Sequence, residues 1–505
     1  MRKYVFMAVL LVVLGACSGA QENPAEESGL QMSQMYSNDM VLQRDIPLVI
    51  KGMANPGEKV KVTLEGPFRT KSRSVRASSE GMWEVKMSPL KAAVGLTLKV
   101  EGDGRTLVYE NVAAGDVWVC SGQSNMFFRV WEGVDNGDMP ADPDLRLFNM
   151  KPRYYVNAER WPDEAIENTQ NMDFYHPTTW EVCDGENQRA FAAVGYHFGK
   201  MLREHLGVPV GLVCNAIGGA PAEAWIDTET LAEGYPEVLD SWFDNKLLNQ
   251  WCIEMGKMNL GYPETGATKH PYAPGYLFDA GIGSMKKFPI KGVVWYQGES
   301  NDYDIPMHER LFNILVDGWR KNWNNPDMPF HFVQLSGLAE RSNWPDFRDS
   351  QRRMADAIAH CEMAVSSDVG DSLDIHPRQK RPVGERLARL ALRYDYGLDI
   401  TPCGPVLRKA VKDGNQVVLE FDFAEGLKTS DSQAVRFFEL AGEDEAFVPA
   451  EAVIEDGKIV MTSEIADPSY VRYAWQPFTR ANLVNGDDLP ASTFKAEIPF
   501  VGNPQ

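Results

Sequence analysis

Basic residues are scarce in this sequence. Its 505 residues include 50 lysines and arginines but 71 aspartates and glutamates, and the formal net charge is −21 at pH 7. A protein that binds nucleic acid needs a basic face for the phosphates. The charge balance therefore argues against nucleic acid as a partner, and the acidic surface favours solubility outside the cell.

Cysteines and cofactor motifs are also sparse. The seven cysteines include no C-x-x-C pair, which argues against a zinc knuckle or a redox motif. No H-E-x-x-H zinc motif, P-loop or G-x-G-x-x-G fingerprint is present. We therefore expect neither a metal nor a cofactor. Cys120 and Cys214 lie in apolar strand patterns, where buried free thiols are expected.

Long apolar runs are missing after the first segment. Arg2 and Lys3 precede an apolar run at residues 4–14, which is short for a membrane span and typical of an export signal. Residues 14–17 resemble a bacterial lipobox. We predict a signal peptide at 1–16, a lipid on Cys17 and a flexible tether at 17–30, with an ordinary secretory signal cut near Ala20 as the alternative. The expected location is the outer membrane, facing the periplasm or the cell surface, with the lipid as the sole membrane contact.

Three regions follow the tether. Residues 31–112 alternate short strands and turns, which indicates an N-terminal β domain. Residues 113–397 alternate apolar strands with amphipathic helices, which predicts an α/β domain with a parallel sheet between helical layers. Residues 398–505 return to short strands and form a C-terminal β region. The two β regions flank the α/β domain, so they can pack together.

Polar or glycine-rich segments follow four of the predicted central strands. The strands at 117–120, 208–214, 290–296 and 363–366 lead into residues 121–126, 215–219, 297–301 and 368–377. Functional groups of parallel sheets gather beyond the carboxyl ends of the strands. We therefore expect these four segments to meet at one edge of the sheet.

The residue types at these strand ends suit acyl transfer. Ser124 is the candidate nucleophile and needs a base, for which His376 is the best placed histidine, with Asp374 two residues before it. The surrounding G-Q-S-N-M is not the G-x-S-x-G elbow of α/β-hydrolases. An oxyanion also needs donors. We predict an oxyanion- and substrate-binding set in which Glu299 contacts sugar, fixes a loop or is simply solvated: Gln123, Gly218, Gly219, Gln297 and Glu299.

The segment GDVWVCSGQSNM at 115–126 closely resembles the signature of the sialate O-acetylesterase family of SGNH hydrolases. Further matches are residues 191–198, WYQGESN at 295–301, IHP at 375–377 followed by Lys380, and MVLQR at 40–44. The resemblance covers about residues 35 to 500. It implies a three-layer α/β/α hydrolase core with β-rich accessory regions and metal-free, serine-dependent removal of acetyl groups from sugars.

By position, the resemblance implies that Ser124 is the nucleophile and His376 the base, with Gly218 or Gly219 and Gln297 as oxyanion donors. Two departures stand out. Many SGNH enzymes place the acid three residues before the histidine, where this chain has Leu373, so Asp374 is our choice, Asp371 the second, and a Ser–His dyad a third option. Gln297 also replaces the usual asparagine.

The sequence is compatible with more than one substrate class. We expect an O-acetylated glycan or sialic acid, most readily a 9-O-acetylated sialic acid. The alternatives are an esterase of plant glycans such as acetylxylan, and more remotely a non-catalytic glycan-binding lipoprotein. Arg129 and Arg378 are candidates for binding a sialic acid carboxylate. Four aromatic residues are candidates for stacking on sugar: Trp131, Trp225, Tyr303 and Trp344.

Overall fold

The computed structural model describes residues 29–67, 69–135, 137, 139–286 and 288–502. The predicted signal peptide, Cys17 and nearly all of the tether lie outside these residues. Within the described ranges, no helix combines the length and the hydropathy needed to cross a membrane. The six described cysteines are free, and the predicted burial of Cys120 and Cys214 is confirmed.

Six parallel strands and one antiparallel edge strand form the centre of the fold, in the order β13-β12-β11-β7-β10-β8-β9. This arrangement confirms the predicted α/β class. The strands are β7 (Arg105–Gly122), β8 (Asp142–Asn149), β9 (Glu181–Cys183), β10 (Val210–Ala216), β11 (Gly292–Tyr296), β12 (Phe330–Val333) and β13 (Met363–Ala364).

Helices cover both faces of these strands. The helices are α1 (Ser124–Phe127), α2 (Asp163–Gln170), α3 (Ala193–Leu206), α4 (Thr228–Gly234), α5 (Gln250–Leu260), α6 (Gly283–Met285), α7 (Ile305–Trp323), α8 (Trp344–Ala357) and α9 (Arg381–Tyr394). Successive side chains of a strand point to opposite faces, so Val117 and Val119 pack in one apolar cluster with α4, α5 and α7, while Trp118 and Cys120 pack in a second one with α3 and α9.

The N-terminal strands are joined to the central sheet through β7. The first half of β7 pairs with β6, and its second half, from Asp116 to Gly122, pairs with β10 and β11. The predicted domain boundary at residue 112 thus falls inside one continuous strand. The N-terminal strands are β1 (Val41–Gln43), β2 (Leu48–Met53), β3 (Lys59–Glu65), β4 (Thr70–Arg76), β5 (Met82–Met87) and β6 (Ala93–Gly102).

The C-terminal strands have an apolar cluster of their own. They are β14 (Val406–Asp413), β15 (Gln416–Asp422), β16 (Lys428–Thr429), β17 (Phe438–Ala441), β18 (Val448–Pro449), β19 (Glu451–Glu455), β20 (Lys458–Thr462), β21 (Tyr470–Tyr473), β22 (Leu483–Val484), β23 (Phe494–Glu497) and β24 (Phe500–Val501).

The C-terminal region packs on α8 rather than on the N-terminal strands. The buried guanidinium of Arg348 in α8 donates to the Thr493 hydroxyl and to the carbonyls of Ala474, Gln476 and Pro477. The N-terminal strands belong to an apolar cluster of the α/β domain instead. The expectation that the two β regions pack together is therefore wrong, because each is held by a different part of the central domain.

Candidate active site

Three strand ends lie side by side at one edge of the sheet. In the strand register, Gly122 at the end of β7 is level with Ala216 of β10 and Tyr296 of β11. A Cβ at Gly122 would collide with the Tyr296 carbonyl, and its φ is +133°, so this turn requires glycine. The segments that follow these strands therefore meet as predicted.

Ser124 begins α1 directly after this turn and faces the loop that follows β10. A Cβ placed on Gly218 would lie 3.8 Å from the Ser124 Cβ. The Gly218 carbonyl accepts from the Tyr272 hydroxyl at 2.6 Å, and the Gly219 carbonyl accepts from Ser300 Oγ at 2.9 Å. Both carbonyls thus point into the protein, and the backbone of this loop lies against the candidate nucleophile.

His376 lies in the long loop between β13 and α9 and is partly exposed. Its Nδ1 is 3.8 Å from Asp374 Oδ1, which is beyond hydrogen-bond range, while its backbone N–H donates to the same oxygen at 2.8 Å. Asp371 caps the preceding turn by accepting from the N–H groups of Leu373 and Asp374. Asp374 is therefore the carboxylate beside the imidazole. No hydrogen bond joins Ser124 Oγ to His376 among the described residues.

Asn125 ties the Ser124 helix to the His376 loop. Its Nδ2 donates to the Ile375 carbonyl at 3.0 Å and to Glu299 Oε1 at 2.5 Å, and its Oδ1 accepts from Lys380 Nζ. All three of these side chains are buried. We call Asn125, Glu299 and Lys380 the buried polar cluster. It joins α1, the loop after β11 and the start of α9, and it places Ser124 and His376 on adjoining segments.

Burial and charge set the protonation of this cluster. Burial lowers the pKa of Lys380 to about 7, against the opposing effect of Glu299. Burial also raises the pKa of Glu299, although the hydrogen bond from Asn125 lowers it. The pKa of His376 is lowered by partial burial and then by the Lys380 charge, while Asp374 and Glu132 act in the opposite direction. The imidazole is thereby kept neutral to lower pH.

The two predicted glutamines are both buried and differ in what they bond. Gln123 Oε1 accepts from the N–H groups of Gly298 and Ser300, each at 3.3 Å, so it fixes the loop after β11. Gln297 Nε2 donates to Asn301 Oδ1 at 2.6 Å and, at 3.5 Å, to the Ala220 carbonyl. The Gln297 amide hydrogens are thus directed at protein acceptors, and its role as an oxyanion donor stays a prediction.

A second buried group lies beneath the Gly218 loop. Asn301 Oδ1 accepts from the Ala222 N–H at 2.9 Å, and its Nδ2 donates to Glu223 Oε2 at 3.0 Å. Burial raises the pKa of Glu223 to about 7. Together with Gln297, these side chains fix the Gly218 loop on the side that faces the protein interior, and the opposite side of the loop faces Ser124.

The candidate sugar-stacking residues divide into two groups. Trp131 and Tyr303 are exposed, as stacking would require. Trp225 is fully buried against Trp295, and Trp344 is fully buried with its indole N–H donating to Asp302. The stacking prediction is therefore wrong for Trp225 and Trp344, which are core residues.

The two candidate arginines also differ. Arg129 is buried, with its guanidinium 3.8 Å from the centre of the Phe127 ring, whereas Arg378 is exposed and donates Nε–H to the Glu132 carbonyl. Arg378 is therefore the more accessible cation near the His376 loop. Across the described ranges, no three histidine, cysteine or acidic side chains are grouped in a way that could hold a metal ion.

Sequence reasoning missed the residues that support the site. Asn125 and Asn301 belong to motifs that were noticed, yet their polar side chains received no role. Lys380 was noticed only as part of a motif, because a lysine is usually solvated and nothing local indicates its burial. Glu223 and Tyr272 lie in the long crossover between β10 and β11, where no sequence pattern pointed to the site.

Comparisons with known proteins indicate a family. Residues 274–393 match a family described as a carbohydrate esterase, sialic acid-specific acetylesterase. The chain is 27% identical to sialate O-acetylesterase of Mus musculus, over 99% of both chains. It is 30% identical to that of Homo sapiens, over 75% of this chain and 74% of the relative.

A solved structure is similar over nearly the full length. A carbohydrate acetylesterase from Xanthomonas citri is 31% identical, with a TM-score of 0.75, covering 92% of this chain and 99% of its own. The similarity thus extends to the described β regions as well as the central sheet. The chain belongs to the sialate O-acetylesterase family and is a carboxylic ester hydrolase of the carbohydrate acetylesterase kind.

Proposed function

We propose that this protein removes O-acetyl groups from sugars through an acetyl-serine intermediate on Ser124, within the three-layer SGNH hydrolase arrangement. The observation that carries the proposal is the link through Asn125. Asn125 directly follows Ser124, and its side chain donates to the carbonyl of Ile375, which directly precedes His376. The Gly218 backbone lies against Ser124. The proposed nucleophile, base and oxyanion donors thus lie together beyond the carboxyl ends of the strands.

In the proposed reaction, His376 accepts the proton of Ser124 Oγ as the oxygen attacks the acetyl carbonyl carbon. A tetrahedral oxyanion forms and collapses as the bond to the sugar oxygen breaks, and His376 returns the proton to that oxygen. Water then attacks the acetyl-serine by the same route and releases acetate. Asp374 stabilises the imidazolium that forms at each step.

The oxyanion requires N–H donors close to Ser124. The N–H groups of Ser124, Gly218 and Gly219 are our candidates, because the Gly218 and Gly219 carbonyls are already bonded to groups on the protein side of the loop. Glycine at 219 is also required sterically, since a Cβ there would collide with the Tyr272 hydroxyl and φ is +72°. The loop is thus preorganised before substrate binds.

Acetate release from a panel of substrates tests the function and divides the substrate classes. We expect release from at least one of 9-O-acetylated sialic acid and acetylated xylan, with 9-O-acetylated sialic acid as the better substrate. A preference for xylan would identify the protein as an esterase of plant glycans. Binding to both substrates without acetate release would contradict the proposal and favour a non-catalytic glycan-binding protein.

The pH profile should report the His376 environment. Only neutral imidazole accepts a proton, and the pKa of His376 is lowered, so the acid limb of kcat/KM should have its midpoint below the ordinary imidazole pKa of about 6.5. Asp374→Asn removes the charge that raises this pKa and should move the fall to still lower pH while reducing kcat. Asp371→Asn is the matched control and should leave the profile in place. A larger effect at Asp371 would make Asp371 the acid.

We also propose that the chain is exported and anchored by a lipid on Cys17. The support is the lipobox-like sequence at residues 14–17, followed by a small, polar and acidic segment. An anchor there would hold the catalytic domain at an outer-membrane surface at the end of a tether. Labelling with a radioactive fatty acid, lost in Cys17→Ala, checks this proposal.

A further inference from the structure

Trp251 is a large apolar side chain exposed beside the candidate active site. It is the second residue of α5, and it is 49% exposed. The first turn of α5 is fixed to two loops of the site. Asn249 donates Nδ2–H to the Ser300 carbonyl at 2.7 Å, and Cys252 Sγ lies 3.7 Å from the Gly219 carbonyl. The position of Trp251 is therefore set by the same loops that surround Ser124.

The Trp251 indole adjoins the loop that faces the nucleophile. A Cβ placed on Gly219 would lie 3.1 Å from Trp251 Cη2. The ring also packs on Tyr272, with ring centres 5.9 Å apart and planes inclined by 34°. Because Tyr272 in turn donates to the Gly218 carbonyl, the indole is supported from within the protein. Close contacts thus lead from Ser124 through Gly218 and Gly219 to Trp251.

Exposing the Trp251 indole to water is unfavourable, and a ligand stacked on the ring would bury it. Burying an aromatic surface is favourable, and aromatic side chains are typical of ligand-binding surfaces. A pyranose ring has a face of C–H bonds that can lie on an indole, while its hydroxyls remain available to polar groups. The indole lies beside the proposed oxyanion donors, where the alcohol part of a bound ester can reach it.

We propose that Trp251 is the platform on which the pyranose ring of an O-acetylated sugar stacks while its acetyl group lies at Ser124. The proposal deepens the proposed function and rests on it. Trp251 selects esters of ring sugars over esters of simple alcohols, and Tyr272 holds the indole in place. Trp131 lies elsewhere, on the segment that contacts the His376 loop through Glu132 and Arg378.

The test compares Trp251→Ala and Trp251→Phe with the unmodified protein on esters with and without a ring. The ring substrates are 9-O-acetyl-N-acetylneuraminic acid and a mono-O-acetylated methyl xylopyranoside, and the ring-free substrate is isopropyl acetate. Trp251→Ala should lower kcat/KM about tenfold on whichever ring sugar the unmodified protein hydrolyses, mainly through KM. It should change the isopropyl acetate value less than twofold, and Trp251→Phe should retain most of the ring preference.

Met258→Ala is the matched control, since Met258 is also exposed and lies two turns further along α5. Met258→Ala should leave kcat/KM unchanged on every substrate. An equal loss on ring and ring-free esters in Trp251→Ala would overturn the platform, because it would show that Trp251 only supports the Gly219 loop. No loss on either would overturn it as well. Failure of the unmodified protein on all sugar esters would instead contradict the proposed function.

Discussion

Ser124→Ala should reduce acetate release by about three to six orders of magnitude, because removing the nucleophile of a serine hydrolase leaves only the contribution of the oxyanion donors and of binding. The effect should fall on kcat, with KM and the thermal midpoint nearly unchanged, since Ser124 is only partly buried and its side chain supports no other element. Initial rates on p-nitrophenyl acetate measure it.

Ser372→Ala is a suitable control for this experiment, because Ser372 belongs to the His376 loop and has no role in the proposed reaction. Rapid quenching of the unmodified protein should also show an acetyl group on the peptide that contains Ser124. An activity of Ser124→Ala indistinguishable from that of the unmodified protein would remove Ser124 from the mechanism.

Lys380→Met should be the most damaging change outside the reacting groups. The substitution deprives Asn125 Oδ1 of its donor and leaves Glu299 as a buried carboxylate without a nearby cation. Leaving a buried acceptor without its charged donor costs about 1–3 kcal/mol of the free energy of unfolding. We also expect kcat to fall by about 10²-fold, because Asn125 sets the distance between the Ser124 helix and the His376 loop. Urea unfolding and initial rates measure the two effects.

Two further variants separate positioning from loss of stability. The double variant Lys380→Met/Glu299→Gln removes both charges, so it should recover part of the lost stability while kcat stays low. The acid limb of the pH profile should also move to higher pH in Lys380→Met, because the lysine charge lowers the pKa of His376. Lys91→Met, at a highly exposed lysine, should change stability by less than about 0.5 kcal/mol. Unchanged kcat in the folded single variant would contradict the positioning role.

The central fold could be predicted because its strands are buried on both faces. Such strands are continuous apolar runs, and four of those in the parallel sheet were identified with the segments that follow them. Strand β8 was missed, since Asp142, Asp144 and Arg146 interrupt its apolar pattern. Arg146 is nevertheless buried, because its guanidinium donates to the carbonyls of Asp39, Asn111 and Pro143. Asp39 and Asn111 are distant in sequence, so no local pattern predicts that Arg146 is buried.

The proximity of the candidate residues could be predicted, whereas the residues that support them could not. Ser124 and Gly218 follow strand ends, so their proximity comes from the parallel register. The burial of Trp225 and the exposure of Trp251 depend on how the crossover between β10 and β11 packs, and Trp344 is buried at the start of α8 with its indole N–H donating to Asp302. A tryptophan looks the same in sequence in either setting. The roles of Ser124, His376 and Asp374 stay predictions until the variants above are measured.

Strand β7 has a mechanical consequence. One end of β7 leads into Ser124, and the other end belongs to the N-terminal sheet. Turning that sheet relative to the nucleophile would break ladder hydrogen bonds on one side of Asp116 or the other. The strand therefore couples the N-terminal sheet directly to Ser124, so an orientation imposed on that sheet is also imposed on Ser124.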